Sequence, residues 1–303
     1  QLDESAIDAY LAQHRDRFDL FSPSTPFGQV AGLEPLSGGA KSVALLVPTA
    51  ASGNNTPLFS SSTEADAPSL SPAEAARRLV ALHAWDTAAI KTGAQGDPKA
   101  SGGKTTGNPT GPLGATGFIA LIGGNLFETL VLNVPALRAR DGDLPAWRQP
   151  PVGASWEIRE PLGPLDLATW QSRRVRLYRD DAGDVSGVLV AAGDRMPFVP
   201  DVEMRTGWVR PSTSTKGGPT VRPRRHQPGR AGWRGLASLL VEASSDSESA
   251  PQAGVLQQLA ILVDDAVVEQ VVGQDGGTLG GHAGEVVDHP AHVLERVEVR
   301  ERP

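Results

Sequence analysis

VRLYRDDAGDVSGVLV, residues 175–190, is the stretch on which the fold turns. Residues 175–178 and 185–190 are short β-branched and apolar runs. Between them, Asp180-Asp181-Ala182-Gly183-Asp184 is a dense turn signal, so the stretch predicts a β-hairpin. Arg173, Arg174, Arg176 and Arg179 load the first strand with positive charge, the composition of a solvated edge strand that charge protects from further pairing.

Outward from the hairpin the pattern is mixed. Ser71-Pro72-Ala73-Glu74 is a helix start: Ser71 caps, Pro72 suits the first helical position and Glu74 completes a capping box. The helix is expected to run through Leu79, Leu82 and Trp85 to about residue 90. His83 inside it reads as a satisfied histidine rather than a ligand, since no second histidine lies nearby. Residues 4–18 suit a short helix with Ile7, Tyr10, Leu11 and His14 on one face. Residues 18–33, rich in Phe and Pro, read as an extended arm packed by its aromatics. Residues 42–47 and 118–122 read as short strands, and 125–133 as a helix or a strand. Residues 48–70 form a polar loop with a turn at Gly53-Asn54-Asn55, and 141–168 look irregular. The fold class is α+β: an irregular mixed globular domain with short sheets, helices and long loops.

The chain has 303 residues, net charge −7 and no cysteine, so it has no disulfide, thiolate zinc site or cysteine nucleophile. No apolar run is long enough for a membrane helix. The start, charged and without an initiating Met, is neither a signal nor a transit peptide, and a cytoplasmic fragment is expected. From residue 244 onward Phe, Trp, Tyr, Met and Lys are absent, so the chain divides into a globular domain, 1–243, and a linker with an atypical tail, 244–303. His282, His289 and His292 in that tail match no metal-ligand template, and no metal or cofactor is expected.

Two stretches carry the functional signal. One is the long Gly-, Pro- and Lys-rich segment after residue 91, with Lys91, Lys99 and Lys104 against the single acid Asp97. Glycines let a backbone approach a ligand closely, and the cations favour an anionic one. Gly103-Lys104-Thr105 invites a P-loop reading, a nucleotide-binding enzyme. However, Pro98 stands where the first Walker glycine belongs, and the Pro- and Gly-rich sequence that follows is not the required helix. The other stretch, Arg205 to Val241, has no Asp or Glu and carries Arg205, Arg210, Lys216, Arg222, Arg224, Arg225, Arg230 and Arg234. It reads as a strand, a tight turn at Lys216-Gly217-Gly218, and a second strand or loop. Local basic density of this kind sets the field that a phosphate backbone meets, despite the acidic total. A Gly-x-Ser-x-Gly elbow is missing, and Asp180/Asp181 and Asp264/Asp265 read as solvated pairs, so an enzyme is not expected. A protein-interaction scaffold is the remaining alternative.

Several blocks, in order, carry a resemblance: FDLFSPSTPFGQVAGL, SGNNTPLF, LSPAEAARRLVALHAWDTAAIKTGAQGDPKASGGK, NLFETLVLNV, WRQPP, PLGPLDLATWQSRRVRLYRDDAGDVSGVLVAAGD, MRTGWVRPSTSTKG and GWRGLASLL. Over roughly residues 5–243 the chain resembles the CasA family, the large subunit of the type I-E CRISPR surveillance complex, Cascade. The resemblance implies the large N-terminal domain of that family, and a non-enzymatic subunit. Such a subunit recognises the protospacer-adjacent motif in double-stranded target DNA and contacts the 5′ end of the crRNA. It also contacts the other Cascade subunits and the recruited helicase-nuclease. By motif position, the family's glycine loop falls in Lys99–Lys104, with Gly102 and Gly103, and its lysine finger on Lys216 beside Gly217. Arg222, Arg224 and Arg225 would add DNA contacts, and Asn54, Asn55 and Phe59 would face RNA or the complex. The family's beginning, its C-terminal four-helix bundle and its glutamine wedge are not found. The expectation for the tail is therefore a fragment, frame-shifted near Asp265.

Overall fold

The computed structural model of the chain describes residues 3–51, 69–116, 118–135, 140–210, 221–223 and 253–261. The described strands are β1 (Lys41–Ser42), β2 (Lys91–Thr92), β3 (Lys104–Thr105), β4 (Arg173–Arg179), β5 (Val185–Ala192), β6 (Trp208–Val209) and β7 (Arg222–Pro223). The α-helices are α1 (Glu4–Gln13), α2 (Pro72–Trp85), α3 (Pro112–Ala115), α4 (Leu126–Leu132) and α5 (Pro164–Ala168). A further helical stretch covers 254–261. The fold is α+β, in two compact units: residues 1–115 with 139–197, and residues 116–138 with 198–303. The expected domain boundary at 243/244 lies outside the described residues.

In the first unit the predicted hairpin is β4–β5, with Val175 opposite Val190 and Leu177 opposite Val188. Asp180 organises its turn, accepting from the amides of Ala182 and Asp184. β5 is the centre of a five-stranded sheet. β4 lines one side of it; along the other come Leu70 at Val185, then antiparallel β1, then parallel β2 at Ala191. Both faces of β5 are covered, as a near-continuous apolar strand requires. Val188 and Val190 pack with Leu79 and Leu82 of α2, while Leu189 and Ala191 pack with Val30, Leu33 and Ala94. Burying a side chain such as Leu79 or Leu189 contributes ~2 kcal/mol.

The outer edge of β4 is not solvated, contrary to expectation, because the arm from 18 to 33 covers it. The Val30 amide donates to the Val175 carbonyl, and the Leu177 amide donates to Gln29 Oε1. Phe18 and Phe27 pack on Trp147, so the aromatics do hold the arm. Two of the expected surface arginines are buried, Arg173 at 1% and Arg174 at 3% exposure. Arg173 pairs with Asp86 and donates to the Pro109 carbonyl; Arg174 pairs with Asp194 at 2.6 Å. Buried charge survives when it is paired and bonded in this way.

Helix α2 begins at the predicted cap, with Ser71 Oγ accepting from the Glu74 amide. It ends earlier than expected, at Trp85, where Asp86 turns the chain into β2. His83 is buried, and its Nε2 bonds the Gly28 carbonyl at 2.8 Å. Burial pushes the imidazole down to about 4. Of the expected strand at 42–47 only Lys41–Ser42 pairs, because Ser42 caps a 3-10 turn over Val43–Leu46. Helix α1 stops at Gln13 and buries none of its residues.

In the second unit residues 118–122 form no strand. Their backbone is satisfied otherwise: the Ile119 amide donates to the Arg205 carbonyl, and the Asn133 side-chain amide bonds both the N–H and C=O of Leu121. The 125–133 segment is helical as α4, capped by Asn125. Thr129 and Asn133 bind the 121–123 backbone, which leaves Leu126, Leu130 and Val131 exposed. Ile119 and Leu121 pack with Ala253, Val255 and Leu256. No helix among the described residues is long and apolar enough to cross a membrane.

Candidate nucleic-acid interface

The glycine-rich segment is a β-hairpin. Lys91 faces Thr105 and Thr92 faces Lys104 across β2 and β3. At its tip Ser101 and Lys104 exchange both backbone hydrogen bonds, at 2.9 and 3.2 Å, around Gly102 and Gly103 with φ of +57° and +75°. Two consecutive positive φ angles are the mark of a type I′ turn, whose twist suits a hairpin, and glycine takes them without a Cβ penalty. A strand, not the expected helix, precedes the loop. Because Lys104-Thr105 is itself strand β3, where a phosphate-binding helix would have to begin, the P-loop reading has no structural context.

The hairpin is anchored to the rigid sheet. Thr92 pairs with Ala191 of β5, and the Gly93 carbonyl accepts from the Leu36 amide at 2.7 Å. Below the tip, buried Asp97 gathers the loop, accepting from the Lys99 amide, Thr105 Oγ1 and Trp156 Nε1. Lys91 is drawn inward to Asp86; burial lowers its pKa against the pull of that carboxylate. Lys104, the last residue of the turn, is exposed and has no side-chain partner among the described residues.

Trp156 is the residue that sequence reasoning missed. Its indole carries Lys99 Nζ at 3.8 Å from the ring centroid and the Arg195 guanidinium at 3.7 Å. Lys99 also donates to the Trp156 carbonyl, and Arg195 Nη2 donates to the Thr106 carbonyl at 2.9 Å. Trp156 lies 57 residues beyond Lys99 in a segment that reads as irregular, so no local signal joins them.

The described site residues fall in both units. Lys99, Gly102, Gly103 and Lys104 share one hairpin in the first unit. Arg222 is exposed on β7 in the second, where Val209 faces it across an antiparallel pair with β6. That pair supplies the first expected strand and makes the second segment a strand too. The turn itself, with Lys216 and Gly217, lies outside the described residues, as do Arg224, Arg225, Asn54, Asn55 and Phe59. Among the described residues no group of three His, Asp or Glu is placed to hold a metal ion, and the tail histidines fall outside them.

The α+β fold thus presents a glycine turn from its sheet with basic side chains beside it. The sequence profile of the family described as CRISPR-associated protein Cse1 matches residues 1–302, and the chain belongs to that family. A curated relative from Thermus thermophilus, "CRISPR-associated protein CasA/Cse1", is 34% identical over 193 residues, which cover 60% of this chain and 34% of that one. The crystal structure of Thermobifida fusca Cse1 superposes with a TM-score of 0.75 at 38% identity, covering 88% of this chain and 52% of that one. A chain of a "CRISPR RNA-guided surveillance complex" superposes with a TM-score of 0.67 at 26% identity, covering 85% of this chain and 51% of that one. The chain thus spans about a third of the curated relative and half of these solved chains.

Proposed function

We propose that this chain is a non-catalytic subunit of a CRISPR RNA-guided surveillance complex that reads the protospacer-adjacent motif in duplex DNA through the Gly102–Gly103 turn and Lys216. The observation that carries the reading is the turn itself. It is held rigidly by a sheet, with open space at Gly102 and an exposed Lys104 beside it. A glycine backbone and a long cationic side chain suit the minor groove, whose pattern is degenerate and largely separates A·T from G·C. Arg222, Arg224 and Arg225 supply phosphate attraction, and Asn54, Asn55 and Phe59 face the 5′ end of the crRNA. Guide pairing reads the rest of the target, a division of labour known in other RNA-guided systems. Family membership and the likeness to a surveillance-complex chain support this assignment. They likewise support partnership with crRNA and the other complex subunits; a recruited helicase-nuclease is the further partner this reading assigns.

The test is equilibrium binding of the assembled complex to duplexes with and without the motif. Lys216→Ala is expected to weaken motif-duplex binding by about tenfold, within the ~1–3 kcal/mol that a specific base contact is worth. Unchanged affinity across a salt series overturns the reading.

A further inference from the structure

We propose that Lys99 and Arg195, seated on the Trp156 indole beside the glycine turn, form a phosphodiester-binding site for a nucleic-acid strand. The proposal rests on the reading of the hairpin as facing nucleic acid, and adds to it Arg195 and its platform.

Both cations lie within 4 Å of one ring centroid, so their separation cannot exceed the sum of those two short distances. Neither has a carboxylate within ion-pair distance among the described residues. The nearby acid, Asp97, is already engaged by the Lys99 amide, Thr105 and Trp156. Two like charges are therefore held together with their neutralisation incomplete. Burial, and then the positive Arg173, push the Arg195 pKa down, while Asp97 pulls it up. An arriving anion adds to that pull.

The guanidinium has donors to spare. Nη2 holds the Thr106 carbonyl, and Nη1 has no hydrogen-bond partner among the described residues. A guanidinium stacked on an aromatic face keeps its planar edge available for bidentate phosphate recognition. Lys99 has spent one N–H on the Trp156 carbonyl and has two left. Ser101, Gly102, Lys104, Thr106 and Gly107 are exposed along the same hairpin that carries Lys99 and accepts Arg195 at the Thr106 carbonyl.

The phosphodiester can belong to target DNA or to crRNA, and two salt titrations separate them: duplex binding by the assembled complex, and joining of this subunit to the RNA-loaded complex. Arg195→Gln and Lys99→Gln are each expected to flatten the slope of log K against log salt by about 0.9 for duplex DNA, or about 0.7 for single-stranded RNA, while Arg195→Lys retains it. A flattened slope in either arm supports the site and names its source. If both Gln variants keep the wild-type slopes in both arms while Lys216→Ala and Lys104→Ala weaken duplex binding, this proposal fails and the DNA reading stands. If none of the four variants changes anything, both fail.

Discussion

A Cβ at Gly102 would meet nothing within 4 Å, whereas one at Gly93 would sit 2.8 Å from the Lys104 amide nitrogen and 2.9 Å from the Gly103 carbonyl carbon. The two glycines are needed for different reasons: Gly102 for its positive φ, Gly93 for close backbone approach. Gly102→Ala should therefore cost only the left-handed penalty, ~1 kcal/mol. Gly93→Ala should cost ~2–3 kcal/mol, because backbone atoms must shift as in an overpacked core. Urea unfolding of the two variants checks the order. His83 gives a pH-dependent prediction. Its folded pKa lies near 4, below the ordinary 6.5, so between those values the unfolded chain binds a proton that the folded chain refuses. Stability then falls as pH drops, by about 2 kcal/mol from pH 7.5 to 5. Urea midpoints at the two pH values should show the loss, and His83→Gln should reduce it.

Asp86 is the joint between elements. It ends α2, pairs with Arg173 at the start of β4, and holds Lys91 at the start of β2. Removing it strands a buried guanidinium, so Asp86→Ala should cost ~3–5 kcal/mol. Lys91→Ala removes only the less buried partner and should cost clearly less; denaturant unfolding of both variants compares them. This joint also marks where sequence reading stops. The β4–β5 hairpin and the Ser71 cap were legible because their signals are local: a turn cluster, and a capping residue three positions before its bonded amide. The buried arginines were not, because Arg173 finds Asp86 across 87 residues and Arg174 finds Asp194 across 20. On the sequence alone, four arginines on one strand look like a solvated face. Residues 118–122 misled for a related reason. They have strand composition, but an asparagine side chain takes the place of a neighbouring strand.

On the scale of the molecule, the proposed reader draws on both units: β2–β3 with its glycine turn in one, and in the other the β6–β7 pair, whose strands lie on either side of Lys216 in sequence. Sequence order located both segments and supplied the lysines and glycines. It did not reveal that the first is a type I′ hairpin, since Gly-Gly also fits a loose loop, nor that Trp156 and Arg195 buttress it. The proposal that the glycine turn and Lys216 read the same stretch of duplex can be tested by tethered cleavage. The chain has no cysteine, so Ser101→Cys and Lys216→Cys each create one attachment point for an iron chelate that cuts nearby DNA. In the assembled complex on a target duplex, the account predicts that cuts from both positions fall within the same few base pairs beside the protospacer. Cuts from Lys216→Cys beside the protospacer, with those from Ser101→Cys absent or elsewhere on the duplex, would contradict it.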